Sequence, residues 1–388
     1  MTMGWQNWSG NVRSNPIDLP IPGDEGEVQE IVQHAISGGH GIRVVGSAHS
    51  FSPIVASDGY ILSLDKLTGL ISSDPDACEA TVRAGTKLHA LGEPLRQKGL
   101  ALANQGDIDR QALAGALSTG THGTGPRYGN LSSRIKSMRL VTGLGEIVQI
   151  DDPEMLRAAR VSVGTFGVVL SYTLSVEPAY RLHEKQWSEG VDACFDQIDE
   201  LIARNDHFEF FWRPVGDICE MKTLNETDAA PDPMPTVDGE YIDHSYIAFP
   251  SDRNVKFNEC EYSIPAEHGP ACFYAIRKLM QEKFPTVKWP VEYRTQAADD
   301  SFISAASGRE TVTISIHEGA EFRHEEFFQA AELIFAQFKG RPHWGKYHSL
   351  NQAQLKALYP DWDRFQACRR RLDPNDVFLN RHLKAIFG

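Results

Sequence analysis

The chain has 388 residues, too many for one compact core, so two or three domains are expected. Hydrophobic residues make up 41% and charged residues 23%, a balance that excludes an intrinsically disordered chain. The formal charge of −14, from 52 acidic against 38 basic residues, argues against a nucleic-acid binder, which needs a basic face to neutralise phosphates.

No run of 18 apolar residues is present, so no membrane-spanning helix and no membrane partner are expected. The opening Met1–Trp8 lacks both a basic leader and an apolar stretch, so no secretory signal is expected. Six scattered cysteines, with no CxxC pair, read as reduced thiols, mostly small buried hydrophobes, in a cytoplasmic protein. A small molecule is the expected partner.

Along the chain, Glu27–Ile36 carries Val28, Ile31, Val32, Ala35 and Ile36 on one face and predicts a helix that stops at Gly38-Gly39. Ile42–Val45, Tyr60–Leu62 and Ala80–Arg83 read as strands, His89–Lys98 as a helix, and Met138–Val141, Glu146–Ile150 and Val168–Val176 as further strands. This mixture predicts an α+β domain over residues 1–178. Beyond it come a helix over Ala193–Ala203 capped by Asp192, an aromatic strand His207–Trp212 and a polar connection Thr223–Thr236. Strands follow at Tyr241-Ile242 and Tyr246–Ala248, then a helix Pro270–Lys283, strands Val291–Arg294 and Thr311–His317, and a helix Glu325–Phe338. These form a second α+β domain, 179–342. The remainder, 343–388, has helices near Ala353–Leu358 and Trp362–Leu372, is too short to fold alone, and is expected to pack back on the first domain.

The common nucleotide and hydrolase signatures are missing: GxGxxG, GxxxxGK[ST], HExxH and GxSxG all fail to occur, and no metal site is expected. Two small-residue loops do stand out, Val45-Gly46-Ser47-Ala48-His49-Ser50-Phe51-Ser52 and Gly115–Gly125. Either alone reads as a tight turn. Together with Gly164-Thr165-Phe166-Gly167, their backbone N–H groups can make a nest for a pyrophosphate.

The run Ile42–Pro53, with His49 at its centre, resembles the flavin loop of the vanillyl-alcohol-oxidase-type (PCMH-type) FAD proteins, in the branch of sugar-1,4-lactone oxidases and alditol oxidases. The similarity extends in order along the chain. It takes in Asn7-Trp8-Ser9-Gly10-Asn11, Gly120-Thr121-His122-Gly123, Glu292-Tyr293-Arg294 with Ala298-Asp299-Asp300, His343-Trp344-Gly345-Lys346, and Asp373-Pro374-Asn375 with Phe378-Leu379-Asn380. The resemblance implies a two-domain FAD-binding fold, with the 179–342 domain as a substrate cap over the flavin.

It further implies that FAD is bound covalently through His49, with Val45, Gly46, Ser47, Ala48, Ser50, Gly115, Ser118, Thr119, Gly120, Thr121, His122, Gly123, Gly164, Gly167 and Val168 as cofactor-binding residues. Ala48 departs from the glycine or arginine often found there. Glu292 and Arg294, two apart on a strand, share a face; by the resemblance they act with Lys346 on a substrate hydroxyl. His317, where alditol oxidases carry threonine, is a fourth substrate contact and favours lactones over polyols. The implied activity is hydride transfer from a carbinol of an aldonolactone to flavin N5, with O2 as acceptor and hydrogen peroxide as product. Alternatives are an alditol oxidase, a lactone dehydrogenase with another electron acceptor, or a flavin carrier without catalysis; the last has no use for Glu292, Arg294 and Lys346. A sugar-binding module without flavin leaves both glycine loops unexplained.

Overall fold

The computed structural model describes residues 4–232, 237–251 and 255–388. Two hydrophobic cores organise it. The first is built on a five-stranded antiparallel sheet with the order 70–74, 79–83, 168–175, 135–141, 147–150. Beside it lie the parallel pair Ile42–Val45 and Tyr60–Ser63, and the helix Glu25–Ser37, which buries Val28, Val32 and Ala35 and is capped by Asp24. Leu355, Trp362, Phe365, Phe378, Leu383 and Phe387 of the chain's final segment pack into this core, as do Phe302 and Ile303.

The second core lies under an eight-stranded antiparallel sheet. Its order is 240–244, 181–190, 218–227, 207–213, 291–296, 311–319, 257–265, 341–342. Alternation gives this sheet two unlike faces. Phe210, Cys260, Tyr262, Tyr293, Ile314 and Ile316 pack with Cys194, Ile198, Phe273, Ile276, Phe328 and Phe335 of the helices Val191–Arg204, Gly269–Lys283 and Glu325–Gln337. The residues between them, Glu209, Glu259, Glu261, Glu292, Arg294, Ser315 and His317, are buried on the other face.

Several elements depart from expectation. The polar connection expected at Thr223–Thr236 begins inside a ten-residue strand, Ile218–Thr227, which buries Cys219, Met221 and Leu224; residues 233–236 lie outside the described residues. Its partner, Arg181–Gly190, is rich in charge and was not predicted; it lies next to the short strand Glu240–His244 at the sheet edge and leaves much of its surface in water. Tyr246–Ala248 belongs to a helical turn, Ser245–Ala248, instead of a strand. Asp192 sits inside the first turn of its helix, whose cap is Gly190. The predicted helix 89–98 is split into the turn Leu88–Ala90 and the helix Gly92–Arg96. The strand Phe257–Pro265, buried along its whole length, was also missed.

One side chain holds the first unit's loops in place. Arg43 is buried, and burial lowers its pKa to about 9, partly opposed by Asp373. Its guanidinium donates to four backbone carbonyls, those of Ile54 (2.6 Å), Val163 (2.8 Å), Gly164 (2.8 Å) and Phe378 (2.5 Å). Replacement by methionine strands buried carbonyls. Arg43→Met is expected to lose about 3 kcal/mol or more in urea unfolding, whereas a loss under about 1 kcal/mol would show that the loops are held by other contacts.

Candidate active site

The loop after the strand Ile42–Val45, the helix Leu113–Thr119 and the turn at Gly164 enclose a cleft of about 890 Å³. Val45, Gly46, Ser47, Ala48, His49, Ser50, Gly115, Ser118, Thr119, Gly164 and Gly167 line it. Ala48 adopts φ 56°, the left-handed region that favours glycine. A Cβ built at Gly115 meets nothing within 4 Å, so the helix presents bare backbone there. A narrow cradle of small residues and exposed backbone fits the pyrophosphate and ring system of FAD.

Five expected cofactor residues do not line this cleft. Gly120 is the left-handed cap of the helix Leu113–Thr119, at φ 78°. A Cβ on Gly123 would lie 2.2 Å from Gln105 O, so this glycine serves a tight backbone crossing. Val168 is a core residue of its strand. Thr121 and His122 instead line a second cleft. The Thr119 hydroxyl donates to Gly115 O within the helix (2.9 Å), which leaves only its lone pairs for a ligand.

The second cleft, about 1,330 Å³, adjoins the first, and His49, Ser50, Gln111 and Thr119 line both. Its floor is the polar face of the large sheet. Register sets Glu261 beside Ser315, Ser315 beside Glu292, and Glu259 beside His317. Arg294 donates to Glu292 Oε2 (2.8 Å) and Glu261 Oε2 (3.3 Å), and Ser315 Oγ donates to Glu261 Oε2 (2.7 Å). His122 Nε2 is 2.9 Å from Glu261 Oε1. Lys346 arrives from the far end of the chain because Tyr347 N donates to Glu259 O (2.9 Å) and His343 N to Glu261 O (3.0 Å), which lays residues 343–347 along the strand 257–265. Its Nζ is 2.5 Å from Glu259 Oε2. The same segment is tied to the His49 loop by Phe51 N to Gly345 O (2.7 Å) and Ser52 Oγ to Trp344 O (2.9 Å). His317 Nδ1 is 2.9 Å from Pro290 O, and its ring, with Glu259 and Glu292, brings polar atoms within 4.8 Å of one another.

Glu292, Arg294, His317 and Lys346 therefore meet in one cavity beside His49. Glu259 and Glu261 join them unanticipated; the alternating Glu259-Cys260-Glu261 is the signal that marks a strand with one acidic face.

Burial dominates the electrostatics. It raises Glu292 to about 8 against the pull of Arg294, with the Glu209, Asp107 and Glu259 carboxylates adding to the rise. Glu261 is also pushed up by burial, but His122, His343 and Arg294 outweigh this and hold it well below the carboxylate range. His49 is lowered to about 4 by burial and by the Lys346 and Lys87 charges, so its imidazole is neutral near pH 7. The ring packs on Trp8, centroids 5.0 Å apart, and Trp8 N donates to Ala48 O (2.8 Å).

A phosphate-suited cradle that meets a polar, carboxylate- and cation-lined cleft at a histidine is the arrangement of an FAD-dependent oxidoreductase of the PCMH-type fold. The comparisons agree. The chain matches the FAD binding domain model over residues 19–151 and the D-arabinono-1,4-lactone oxidase model over 172–244 and 234–386. It is 36% identical to an L-gulono-1,4-lactone dehydrogenase of Mycobacterium tuberculosis, over 99% of each chain, and 28% identical to an L-gulonolactone oxidase of Scyliorhinus torazame, over 100% of this chain and 99% of that one. Cholesterol oxidase from Brevibacterium sterolicum superposes with a TM-score of 0.87 at 14% identity, covering 100% of this chain and 97% of that one, a likeness of fold alone. The chain belongs to the sugar-lactone oxidase family that the D-arabinono-1,4-lactone oxidase model describes.

Because Glu292 gains a raised pKa on folding, the unfolded chain binds fewer protons than the native one between the ordinary carboxylate value and about pH 8. Its contribution to stability is complete below that window and is lost as pH rises through it. The thermal midpoint of Glu292→Gln is expected to fall less than that of the wild type between pH 5 and 8.5; parallel curves would place the proton elsewhere.

Proposed function

We propose that the protein oxidises a carbinol of a sugar-1,4-lactone, using FAD attached covalently through His49. The observation that carries this reading is the position of His49, in the wall of both the small-residue cradle and the polar cleft beside it. A neutral imidazole, its charged form disfavoured by burial, has a nitrogen lone pair available for bonding to the flavin 8α-methyl. FAD, when bound, supplies the two-electron acceptor for the substrate.

The chain's own residues bind and polarise the lactone. Arg294, raised in pKa by the carboxylates around it despite its burial, stays charged and aims a planar fork of donors into the cavity. Lys346 places an ammonium where negative charge develops on the carbinol oxygen. Glu292 fixes Arg294, and its Oε1, without a hydrogen-bond partner among the described residues, is aligned for a substrate hydroxyl. His317, in place of threonine, gives the site a bulky, flat contact that suits a five-membered lactone ring better than a flexible polyol. The oxidised position would be C2, giving a 2-keto lactone. Electrons leave to O2, yielding hydrogen peroxide, or to another acceptor; relatives include both named oxidases and a named dehydrogenase.

His49→Ala is expected to release the yellow colour on acid precipitation while the wild-type polypeptide retains it; colour washing out of the wild type would contradict the covalent link. Lys346→Ala is expected to cut turnover of aldonolactones by about 100-fold or more with an unchanged flavin spectrum. Peroxide detection across aldonolactones, alditols and aldoses assigns the substrate and acceptor together; turnover of alditols alone would overturn the lactone reading.

A further inference from the structure

Oxidising a carbinol frees its hydroxyl proton, and a positioned group must take it. Asp107, Glu259, Glu261 and Glu292 line the second cleft; Asp107 accepts from Ser251 Oγ (2.5 Å), and the three carboxyls of the sheet are the candidates. Glu261 has both oxygens engaged, Oε1 with His122 and Oε2 with Ser315 and Arg294. Glu292 keeps its own proton up to about pH 8 and so is the wrong partner at neutral pH. Glu259 differs from both. Lys346 engages its Oε2 at 2.5 Å, while His317 Nε2 stands 3.7 Å from Oε1, beyond hydrogen-bond reach. Burial pushes Glu259 up, and Glu261 on its own strand adds to that. Lys346 from the 343–347 segment and His317 from the neighbouring strand pull it down further and prevail, so it is ionised. Among the described residues, Glu292 on the strand beyond, Arg294 two residues on from it and His343 of the closing segment are other titratable groups that act on it.

The pairing with Lys346 supplies the geometry. A hydroxyl oxygen that accepts from Lys346 Nζ sits within about 3 Å of that nitrogen. It is then beside the carboxylate that Nζ already touches, and its own O–H can turn to Oε1.

We infer that Glu259 is the catalytic base of this site, its Oε1 removing the proton of the hydroxyl that Lys346 holds. The inference rests on reading the cavity as the lactone site. In the step, the substrate O–H bond breaks and an O–H bond forms on Oε1. The pair left on oxygen becomes the second C–O bond, while the carbinol hydrogen leaves with its two electrons to the bound oxidant. Carbon is oxidised by two electrons and the cofactor reduced by two.

The test compares Glu259→Gln with the wild-type holoenzyme by anaerobic mixing with an aldonolactone, following the loss of flavin absorbance. The variant keeps the shape and loses the base, so its rate is expected to fall about 100-fold or more. A binding readout separates this from damage. The dissociation constant of a 2-deoxy aldonolactone, from its perturbation of the oxidised flavin spectrum, is expected to stay within about threefold. The wild-type rate is expected to be flat from pH 8 down to about 5 and to decline only below the ordinary carboxylate range. A Gln variant within about threefold of the wild type, alongside a crippled Lys346→Ala, overturns the role of Glu259 and leaves the lactone site standing. If Lys346→Ala is also near wild type, the site reading falls as well. A wild-type profile rising with a midpoint near 8 overturns the inference in favour of Glu292. Should the Gln variant fail to fold, Glu259→Asp is expected to retain part of the rate, and the wild-type profile still decides.

Discussion

The architecture depends on burying Glu259, Glu261 and Glu292 close together, with Glu209 on the same sheet face. Each is at most 5% exposed. Desolvating a carboxylate costs several kcal/mol unless it is paired and hydrogen-bonded. The chain meets this requirement with Arg294 between Glu292 and Glu261, His122 and Ser315 on Glu261, and Lys346 on Glu259. These partners come from a loop of the first unit, from the sheet itself and from the segment after residue 342. The charge cluster thus fastens three distant parts of the chain at one point, and Glu292, protonated near neutral pH, adds no charge to it. A site that retains an uncommitted carboxyl oxygen and an aimed ammonium is arranged for a ligand rich in hydroxyl groups.

The cofactor side is held by the same economy of long-range ties. Arg43 collects the carbonyls of three segments, and Asn380 Nδ2 reaches Pro53 O (2.8 Å) and Ala56 O (2.7 Å) from the chain's closing part. At the other end, Asn7 Nδ2 donates to Ser50 O (2.9 Å) and Asn11 Nδ2 to Phe51 O (3.1 Å). The loop bearing His49 is therefore braced from both ends of the sequence. A rigid loop holds its imidazole still where the two clefts meet.

Much of this was legible in the residues themselves. Glu292 and Arg294 are two apart in a run that alternates as a strand, and His49 and Lys346 stand in segments with strong family likeness. Glu259 and Glu261 are marked only by the short alternation Glu259-Cys260-Glu261, because Phe257–Pro265 is buried on both faces and its acidic face removes the apolar run that marks a buried strand. The opposite failure hid Arg181–Gly190, a charge-rich strand beside the short edge strand that gives only Leu182 and Trp187 to the apolar packing. Gly123 and Val168 look like cofactor residues by position, yet packing claims them, since a tight crossing and a core place the same demand for small or apolar side chains.

The assignment of the two clefts that meet at His49, one to the cofactor and the other to the substrate, is the central claim. The electron density of the holoenzyme in complex with an aldonolactone tests it most directly. The account predicts flavin density continuous with His49 and a lactone oxygen between Lys346 and Glu259. A flavin elsewhere in the molecule, or a lactone held away from the Glu259–Lys346 pair, would contradict it.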